Sequence, residues 1–373
     1  MFRPLRAVLA AAVLPFPVVA QNTGAALTNG VDGYLEIPYS SQLVPQTGIT
    51  LEAWITYDDS TIATGWRYPT IARQNITAQQ EAYFLRVDAG QNQNRTLRFK
   101  VVTVGGGQVI CDWPFAAGQL QQWTHVAATY DGQAANLYVD GVLAMTAAGT
   151  GQPIWDRGGV LRIGKGDDAG GPIEVWNGQL DEVRLWPFAR SAAEIAQTKD
   201  YALSGVPGLV STWNLDGHAL DTSGGQHGSL TGTVNWPNGP TLTALPAASG
   251  TIVGAGTAGC GPLAITFGSL PQAGNLAFAP VCTGAPAGAP TFLALGFQTV
   301  ATPLSIAGID FWLNSSTSLL TLASTDAFSV SRFTVALPAW LTAGQQFAFQ
   351  YGFVDPCGSQ GVTASAALAT LTQ

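Results

Sequence analysis

The chain has 373 residues, of which 47% are hydrophobic and only 10% are charged, with 44 Gly and 22 Pro. Charged residues usually make up about a quarter of a globular chain, and this composition favours sheets and turns over helices. The formal net charge is −8 with no run of basic residues, which makes nucleic acid and anionic membranes poor partners because phosphate binding needs clustered Lys and Arg.

The first twenty residues have the pattern of a secretory signal. Arg3 and Arg6 give a positive start, and residues 7–20 form an apolar run that ends in small residues. This run is too short to span a membrane as a stable anchor, and no later run reaches the roughly 18 apolar residues that a span requires. We therefore expect residues 1–20 to be a signal peptide, and the mature protein to be secreted or at the cell surface without a membrane span.

Short strands separated by turns are predicted in the first part of the mature chain. Runs rich in β-branched and aromatic residues predict strands at residues 49–56, 82–87, 97–104, 123–130, 136–139, 142–146, 160–164 and 179–186. Asp140 and Gly141 are a favoured pair for the tight turn of a hairpin. Ser191 and Glu194 form a capping box that predicts one short helix. Many short strands with almost no helix predict a sandwich of two antiparallel sheets.

The distribution of charge divides the mature chain in two. Residues 21–250 carry 32 charged residues, whereas residues 251–373 carry four. The change falls in a stretch rich in Pro, Ala, Ser and Gly, which is typical of a linker. We expect a first domain at residues 21–245, a linker at 246–261 and a second, smaller β-sandwich-like domain at 262–373. In the second domain, strands are predicted at residues 291–298, 319–323, 329–337 and 346–354.

Four segments of the first domain carry a family resemblance. They are an opening segment at 26–38, a strand at 51–55, a hairpin region at 123–141, and a closing strand with its terminal turn at 180–195. In this order they resemble the LamG-like jellyroll family of the concanavalin A-like lectin and glucanase superfamily. The resemblance implies an all-β fold with an antiparallel jellyroll sandwich over roughly residues 25–240. Residues 209–216 resemble a further strand of such domains, which we expect to complete one sheet.

A looser resemblance covers part of the second domain. Residues 284–297 are similar to C-terminal modules that end many exported bacterial proteins. Such a resemblance implies no activity for this domain. We expect it to be a surface or secretion appendage.

The sequence lacks the carboxylate pair of a glycoside hydrolase. Enzymes of this superfamily need two carboxylates on one face of a strand, whereas Asp181 and Glu182 are adjacent and point to opposite faces. Gly-x-Ser-x-Gly, His-Glu-x-x-His and phosphate-loop motifs are absent as well. His125 lies within a predicted strand, where a structural role is favoured over catalysis. We therefore expect a protein that is not an enzyme, with a divergent glycoside hydrolase as the second alternative.

The family resemblance also implies a structural calcium ion. In such jellyrolls a carboxylate of the closing strand meets backbone carbonyls near the opening strand, and this hard cation prefers oxygen ligands. By resemblance, Asp181 is the carboxylate, the turn at Asn29 to Gly33 supplies carbonyls, and Asp32 is a second carboxylate. The alternative is that Asp181 accepts hydrogen bonds from backbone amides or pairs with an Arg at the end of the sheet.

Sugar binding needs aromatic faces and polar groups on exposed loops or on an open sheet. Four tryptophans lie in connections rich in Pro, Gly and Asp and are the candidates for a ligand platform: Trp66, Trp113, Trp155 and Trp176. Each taken singly is also explained as a packed loop anchor. We predict a non-catalytic, lectin-like protein that recognises an extracellular polysaccharide or a surface protein. The alternative is a structural or adhesive cell-surface component without a small ligand.

The cysteines are consistent with export, because extracellular thiols tend to pair. Cys260, Cys282 and Cys357 lie in the later part of the chain, and Cys111 is alone in the first domain. We expect one bridge among the three later cysteines, for which three pairings are open. The pairing of Cys282 with Cys357 is favoured because it links two predicted strand ends. Cys111 is then either buried and free or bridged across the domains.

Overall fold

The computed structural model describes residues 24–46, 48–59, 67–76, 80–90, 95–167, 174–244 and 250–373. The first seventeen strands are β1 (Ala26–Asn29), β2 (Tyr34–Ile37), β3 (Ile49–Ile55), β4 (Thr70–Asn75), β5 (Glu81–Ala89), β6 (Arg95–Val102), β7 (Gln108–Pro114), β8 (Thr124–Tyr130), β9 (Ala134–Val139), β10 (Val142–Ala148), β11 (Val160–Ile163), β12 (Asn177–Trp186), β13 (Tyr201–Ala202), β14 (Ser211–Trp213), β15 (Ser229–Thr231), β16 (Val234–Asn235) and β17 (Thr243–Ala244).

The remaining strands are β18 (Thr251–Val253), β19 (Ala264–Phe267), β20 (Pro280–Thr283), β21 (Pro290–Gly296), β22 (Thr299–Ile306), β23 (Ile309–Leu313), β24 (Leu319–Ser324), β25 (Val330–Arg332), β26 (Gln346–Val354), β27 (Val362–Ala364) and β28 (Ala367–Leu371). The helical segments are α1 (Ala192–Thr198) and the single 3-10 turns Ser41–Leu43, Ala117–Gln119, Ser315–Thr317 and Ser359–Gly361. The predicted all-β fold class is therefore confirmed. No helix within the described ranges is long and apolar enough to cross a membrane.

Two antiparallel sheets form the first sandwich. Sheet A has the order β10–β9–β8–β3–β12–β1–β16, with β14 also paired to β12, and sheet B has the order β15–β2–β11–β4–β5–β6–β7. Alternate side chains of each strand point inward, and Leu51 of sheet A and Leu85 of sheet B are both fully buried in one hydrophobic core. The strand β14 places Trp213 in the same core and completes sheet A, as the sequence predicts.

Two local sequence signals are realised as expected. Asp140 and Gly141 join β9 to β10 and have φ angles of 50° and 80°, the left-handed conformation that a tight hairpin turn requires. At the start of α1, Ser191 Oγ accepts from the Glu194 N–H at 3.3 Å, and Glu194 Oε2 accepts from the Ser191 N–H at 2.6 Å. Both signals involve only residues close to each other in the sequence, and both can therefore be recognised from the sequence alone.

The strands from β18 onward form further sheets. A six-stranded sheet has the order β18–β28–β26–β21–β24 with β27 paired to β26, a three-stranded sheet has the order β19–β20–β25, and β22 pairs with β23. The strand β18 lies inside the predicted linker and pairs with β28. Where the sequence predicts one strand at residues 329–337, the structure has only the short β25. The residues after it make separate backbone bonds, such as Val335 N–H to the Phe278 carbonyl at 2.8 Å.

One hydrophobic cluster joins the two parts of the chain. Trp186 and Leu209 from the first part pack in the same buried cluster as Phe267 and Phe349 from the second. Burial of apolar surface stabilises this contact by about 25 cal/mol per Å². The second part is therefore packed onto the sandwich.

A buried arginine crosses the same boundary. Arg190 donates from Nε and Nη2 to the Gly268 carbonyl at 3.0 and 2.7 Å, and from Nη1 to Glu52 Oε1 at 2.8 Å. Arg332 of β25 donates to Glu194 Oε2 at 2.8 Å. A Cβ at position 268 would lie 1.8 Å from Glu194 Oε1. Only glycine therefore fits at this contact without displacing the Glu194 carboxylate.

A disulfide joins Cys260 to Cys357 across a sequence separation of 97 residues. The favoured pairing of Cys282 with Cys357 is wrong, because Cys282 on β20 points into the hydrophobic cluster and is fully buried there. Cys111 is buried and free, one of its two expected states. Burial raises the pKa of the Cys111 thiol to about 11. Both free thiols are therefore protonated and sheltered at neutral pH.

We expect the double substitution Cys260→Ser and Cys357→Ser to lower the free energy of unfolding by about 2–4 kcal/mol, because the bridge restricts a long loop in the unfolded chain. Urea unfolding followed by tryptophan fluorescence measures the loss. A reductant should destabilise the wild type by a similar amount and leave the double variant unchanged. A wild type that is equally stable with and without reductant would contradict this role of the bridge.

Candidate ligand-binding face and a buried ionic network

The outward side of sheet B carries charged and aromatic side chains. On β5 and β6, Leu85 and Phe99 point into the core and are fully buried, so their sequence neighbours point outward. We call this surface the charged face, and it consists of Arg73, Glu81, Phe84, Arg86, Asp88, Arg98, Lys100 and Asp112, together with Glu174, which reaches it from outside the sheet. The strands of the sheet thus place eight of these side chains on one side of the sheet, and Glu174 joins them from a neighbouring segment.

Arg73 on β4 lies between two carboxylates. Its Nη1 is 2.9 Å from Glu174 Oε2, and its Nη2 is 3.1 Å from Glu81 Oε2. Lys100 donates to the other Glu81 oxygen at 2.7 Å. A Cβ at Gly166 would lie 1.7 Å from Glu174 Oε2, so this glycine is needed for Glu174 to reach the arginine. Arg73, Glu81 and Glu174 are each less than one-tenth exposed, and their geometry is therefore fixed before any ligand arrives.

The two carboxyl groups next to Arg73 have pKa values shifted in opposite directions. Burial raises the pKa of Glu174, and the N–H of Asp167 and the charge of Arg73 offset this only in part. Burial also acts to raise the pKa of Glu81, but the hydrogen bond from Lys100 and the charges of Lys100 and Arg73 outweigh it and leave that pKa lowered. Glu174 is therefore the first of the two to take up a proton as the pH falls.

Arg86 is held between two aromatic rings. Its guanidinium carbon lies 4.4 Å from the ring centroid of Tyr68 and 4.2 Å from that of Phe84, which is the distance range of a cation–π contact. Its Nε donates to Asp88 Oδ1 at 2.5 Å, and Arg98 also pairs with Asp88, at 2.6 Å. These contacts lock the rotamer of a side chain that is otherwise among the most mobile on a protein surface.

The structure separates the four tryptophans of the predicted ligand platform. Trp66 lies outside the described residues. Trp176 is fully buried and donates from Nε1 to the Thr56 carbonyl at 3.1 Å, so its prediction as a ligand contact is wrong. Trp113 is half-buried and packs against the sandwich core, with its ring edge on Phe115. The side chains do not form one platform, and the alternative of packed loop anchors applies to Trp113 and Trp176.

Trp155 keeps an accessible ring. It is 37% exposed, and the guanidinium carbon of Arg157 lies 3.8 Å from the ring centroid. Its backbone N–H bonds to the Val102 carbonyl at 2.9 Å, which places it beside the end of β6. Among the predicted tryptophans that the structure describes, Trp155 is thus the one whose ring a ligand can still contact.

The predicted calcium ligands are not brought together. Asn29 and Asp32 share one turn, where Asn29 Nδ2 donates to Asp32 Oδ1 at 2.7 Å. Asn29 pairs with Asn177 on β12, and Asp181 lies four residues further along that strand, roughly 13 Å away. Asp181 is fully buried, and its Oδ1 accepts from the Glu182 N–H at 2.8 Å, in line with the alternative reading of a backbone acceptor. The three residues do not fit one ion, and calcium binding stays a prediction.

A second ionic network is buried under α1, on the other sheet. Glu52 of β3 accepts from Arg190 at 2.8 Å and from Trp186 Nε1 at 2.7 Å, and its other oxygen lies 3.5 Å from His125 Nε2. Each of these side chains is at most 2% exposed, so the network is part of the interior. Burial lowers the pKa of His125, although Glu52 acts in the opposite direction. His125 is therefore a neutral structural histidine at pH 7, the role that the sequence favours.

Several residues of the charged face are not indicated by any motif. Arg73 lies on β4, whose sequence Thr-Ile-Ala-Arg-Gln-Asn has no clear apolar alternation. A usable signal exists on β6, where Arg98 and Lys100 alternate with apolar residues at 97, 99 and 101. Strict alternation of charged and apolar residues predicts a strand with one polar face. Partners such as Glu174, which comes from a distant segment, leave no such signal.

Comparison with known proteins supports the resemblance seen in the sequence. Residues 29–196 match the family model of the concanavalin A-like lectin/glucanases superfamily. No curated protein sequence matches the chain. The solved structures that resemble it do so in fold alone.

Three of these solved structures come from different kinds of protein. One is a proposed carbohydrate-binding protein from Bacteroides ovatus, with 20% identity, 60% of this chain and 61% of that chain covered, and a TM-score of 0.42. Another is domain 4 of an extracellular arabinanase from Geobacillus stearothermophilus in complex with arabinotriose, with 19% identity, 46% and 74% coverage, and a TM-score of 0.33. The third is the LG4-5 pair of the mouse laminin alpha1 chain, with 11% identity, 98% and 86% coverage, and a TM-score of 0.34.

We expect Arg73→Gln to lower the free energy of unfolding by about 3–5 kcal/mol, because it leaves two buried carboxylates without their common partner. Arg162→Gln is a matched control, since Arg162 lies directly opposite on β11 and pairs with Glu36 at 2.9 Å where the two side chains are 22% and 36% exposed. The control should lose less than about 1 kcal/mol. Urea unfolding compares the two, and equal losses would contradict the buried role of Arg73.

His125 should make the stability of the fold depend on pH. The unfolded chain protonates this histidine near its ordinary pKa of about 6.5, whereas the folded state does so only at lower pH. Its contribution is therefore complete above pH ~6.5 and is lost as the pH falls, by at most about 1.4 kcal/mol per pH unit. Melting curves between pH 7.5 and 5.5 should be flatter for His125→Gln than for the wild type. Equal slopes for His125→Gln and the wild type would contradict this role of His125.

Proposed function

We propose that the concanavalin A-like domain of this chain, which matches that superfamily over residues 29–196, is a non-catalytic domain that binds an extracellular glycan on the charged face. The observation that carries the proposal is the clamped guanidinium of Arg86 between Tyr68 and Phe84, beside fixed carboxylates. Sugars present hydroxyl groups and apolar C–H faces, and they are recognised by preorganised polar groups next to aromatic rings.

The arrangement of Arg73 favours binding over hydrolysis. A glycoside hydrolase needs one carboxyl group free to donate a proton and a second one free to attack or to activate water. Here both carboxylates are hydrogen-bonded to the same guanidinium, and Glu81 is bonded on both oxygens, by Arg73 and by Lys100. A carboxylate with both oxygens engaged by cations is a poor nucleophile. This supports a face that holds its ligand without cleaving it.

The balance of charge supports an uncharged ligand. The charged face contains four cations and four carboxylates: Arg73, Arg86, Arg98 and Lys100, with Glu81, Asp88, Asp112 and Glu174. They are paired with one another at 2.5 to 3.1 Å. A uronate or sulfate group would have to displace a carboxylate from its cation, whereas a hydroxyl group can add to the existing pairs. We infer a neutral polysaccharide.

The proposed place of action is outside the cell or at its surface. The predicted signal peptide, residues 1–20, lies outside the described residues. The bridge between Cys260 and Cys357 supports the proposal, because disulfides form and persist in oxidising compartments.

Affinity electrophoresis tests the location of the ligand. We expect gels that contain a neutral polysaccharide to retard the protein, and gels with a polyuronate to retard it less. Arg86→Ala should weaken retention about tenfold or more, equivalent to about 1.4 kcal/mol, because the rings of Tyr68 and Phe84 lose the group that orders them. Trp155→Ala should also weaken it. Trp340→Ala, which removes a tryptophan that is 77% exposed in the second part of the chain, should change nothing.

Two results would contradict the proposal. Arg86→Ala that folds normally by circular dichroism and is retarded like the wild type would place the ligand elsewhere. Release of reducing sugar from any retained polysaccharide, abolished by Glu81→Gln or Glu174→Gln, would make the protein an enzyme.

A further inference from the structure

The strand β24 (Leu319–Ser324) is an open edge of the six-stranded sheet. It pairs with β21 on one side, with Leu293 opposite Thr321. On its other side, no backbone hydrogen bond from a turn or loop of the described ranges reaches residues 319–324. One row of its N–H and C=O groups is therefore left free, which is the template on which another strand can pair.

Three leucines dominate the exposed side chains of this edge. Leu319 is 70% exposed, Leu320 67% and Leu322 85%. Natural proteins protect open edges with Lys, Pro or bulges, and β24, with the sequence Leu-Leu-Thr-Leu-Ala-Ser, has none of them. Burying three leucine side chains in a contact is worth several kcal/mol. An edge of this kind is a site on which another strand tends to pair.

We propose that β24 is covered by β24 of a second copy of this chain, paired antiparallel about a two-fold axis. An antiparallel edge is complementary to itself, because a two-fold rotation brings each donor opposite an acceptor. The pairing joins the six-stranded sheets of the two copies into one continuous sheet. It also brings the leucines of the two copies into cross-strand contact.

The distribution of charge fits a second copy as the occupant. No charged residue occurs from Phe311 to Thr325, so the pairing brings no like charges together at the edge. After residue 250 the chain contains only three Asp and one Arg, and most of its net charge of −8 lies in the earlier part. The paired strands themselves therefore meet without charge repulsion.

The oligomeric state of the mature chain tests the inference. Sedimentation equilibrium should give twice the monomer mass, with dissociation only on dilution. The double substitution Leu320→Lys and Leu322→Lys should give a monomer, because it places like charges opposite each other across the axis. Val142→Lys is the matched control. Val142 is 68% exposed on β10, which is the edge strand of sheet A, and this variant should remain a dimer.

Cysteine scanning then tests the geometry. Directly opposite residues of an antiparallel pair have Cα atoms about 4.5–5.5 Å apart, within the range of a disulfide. Among single substitutions Leu320→Cys, Thr321→Cys and Leu322→Cys, the one nearest the axis should cross-link two chains under mild oxidation, and Val142→Cys should not. A monomer at all concentrations overturns the proposal, as does a dimer that survives both lysines. The lysine variant should still bind polysaccharide, which separates this result from the proposed function.

Discussion

The buried guanidinium of Arg190 is the contact on which the arrangement of the molecule depends. A charge removed from water is tolerated only when its donors are all engaged. Arg190 meets this condition by drawing on Glu52 in the sandwich, on α1 through the Glu194 carbonyl, and on Gly268 in the second part of the chain. The surrounding hydrophobic cluster supplies the bulk of the burial, but it has no directional preference. The arginine fixes the orientation in which that cluster forms.

The same physical rule gives a different result on the opposite sheet. Arg73 is also nearly buried and also paired with carboxylates, but its partners lie on the outward side of sheet B. The polar face of sheet A thus contacts α1 and the second part of the chain. Sheet B carries an ordered polar face, which we propose binds a ligand. The two sheets differ because α1 and the segment after it cover only one of them.

Much of the fold could be predicted because its signals are local. The turn at Asp140 and the capping box at Ser191 involve residues within four positions of each other, and strand periodicity needs only a short window. The site could be predicted less well. Trp176 lies in a polar connection of the sequence, but its side chain is buried and donates to a carbonyl 120 residues away along the chain. Glu174 accepts from Arg73, which is 101 residues away along the chain. The pairing of Cys260 likewise depends on where distant strands end, which no local pattern encodes.

The bridge between Cys260 and Cys357 has a consequence for how the molecule withstands proteolysis. It encloses most of the second part of the chain, from β19 to β26. Exposed loops are the usual places where a protease nicks a folded protein. A single cut in any loop between the two cysteines leaves both fragments covalently attached, and the sheets they form can hold together until the bond itself is reduced.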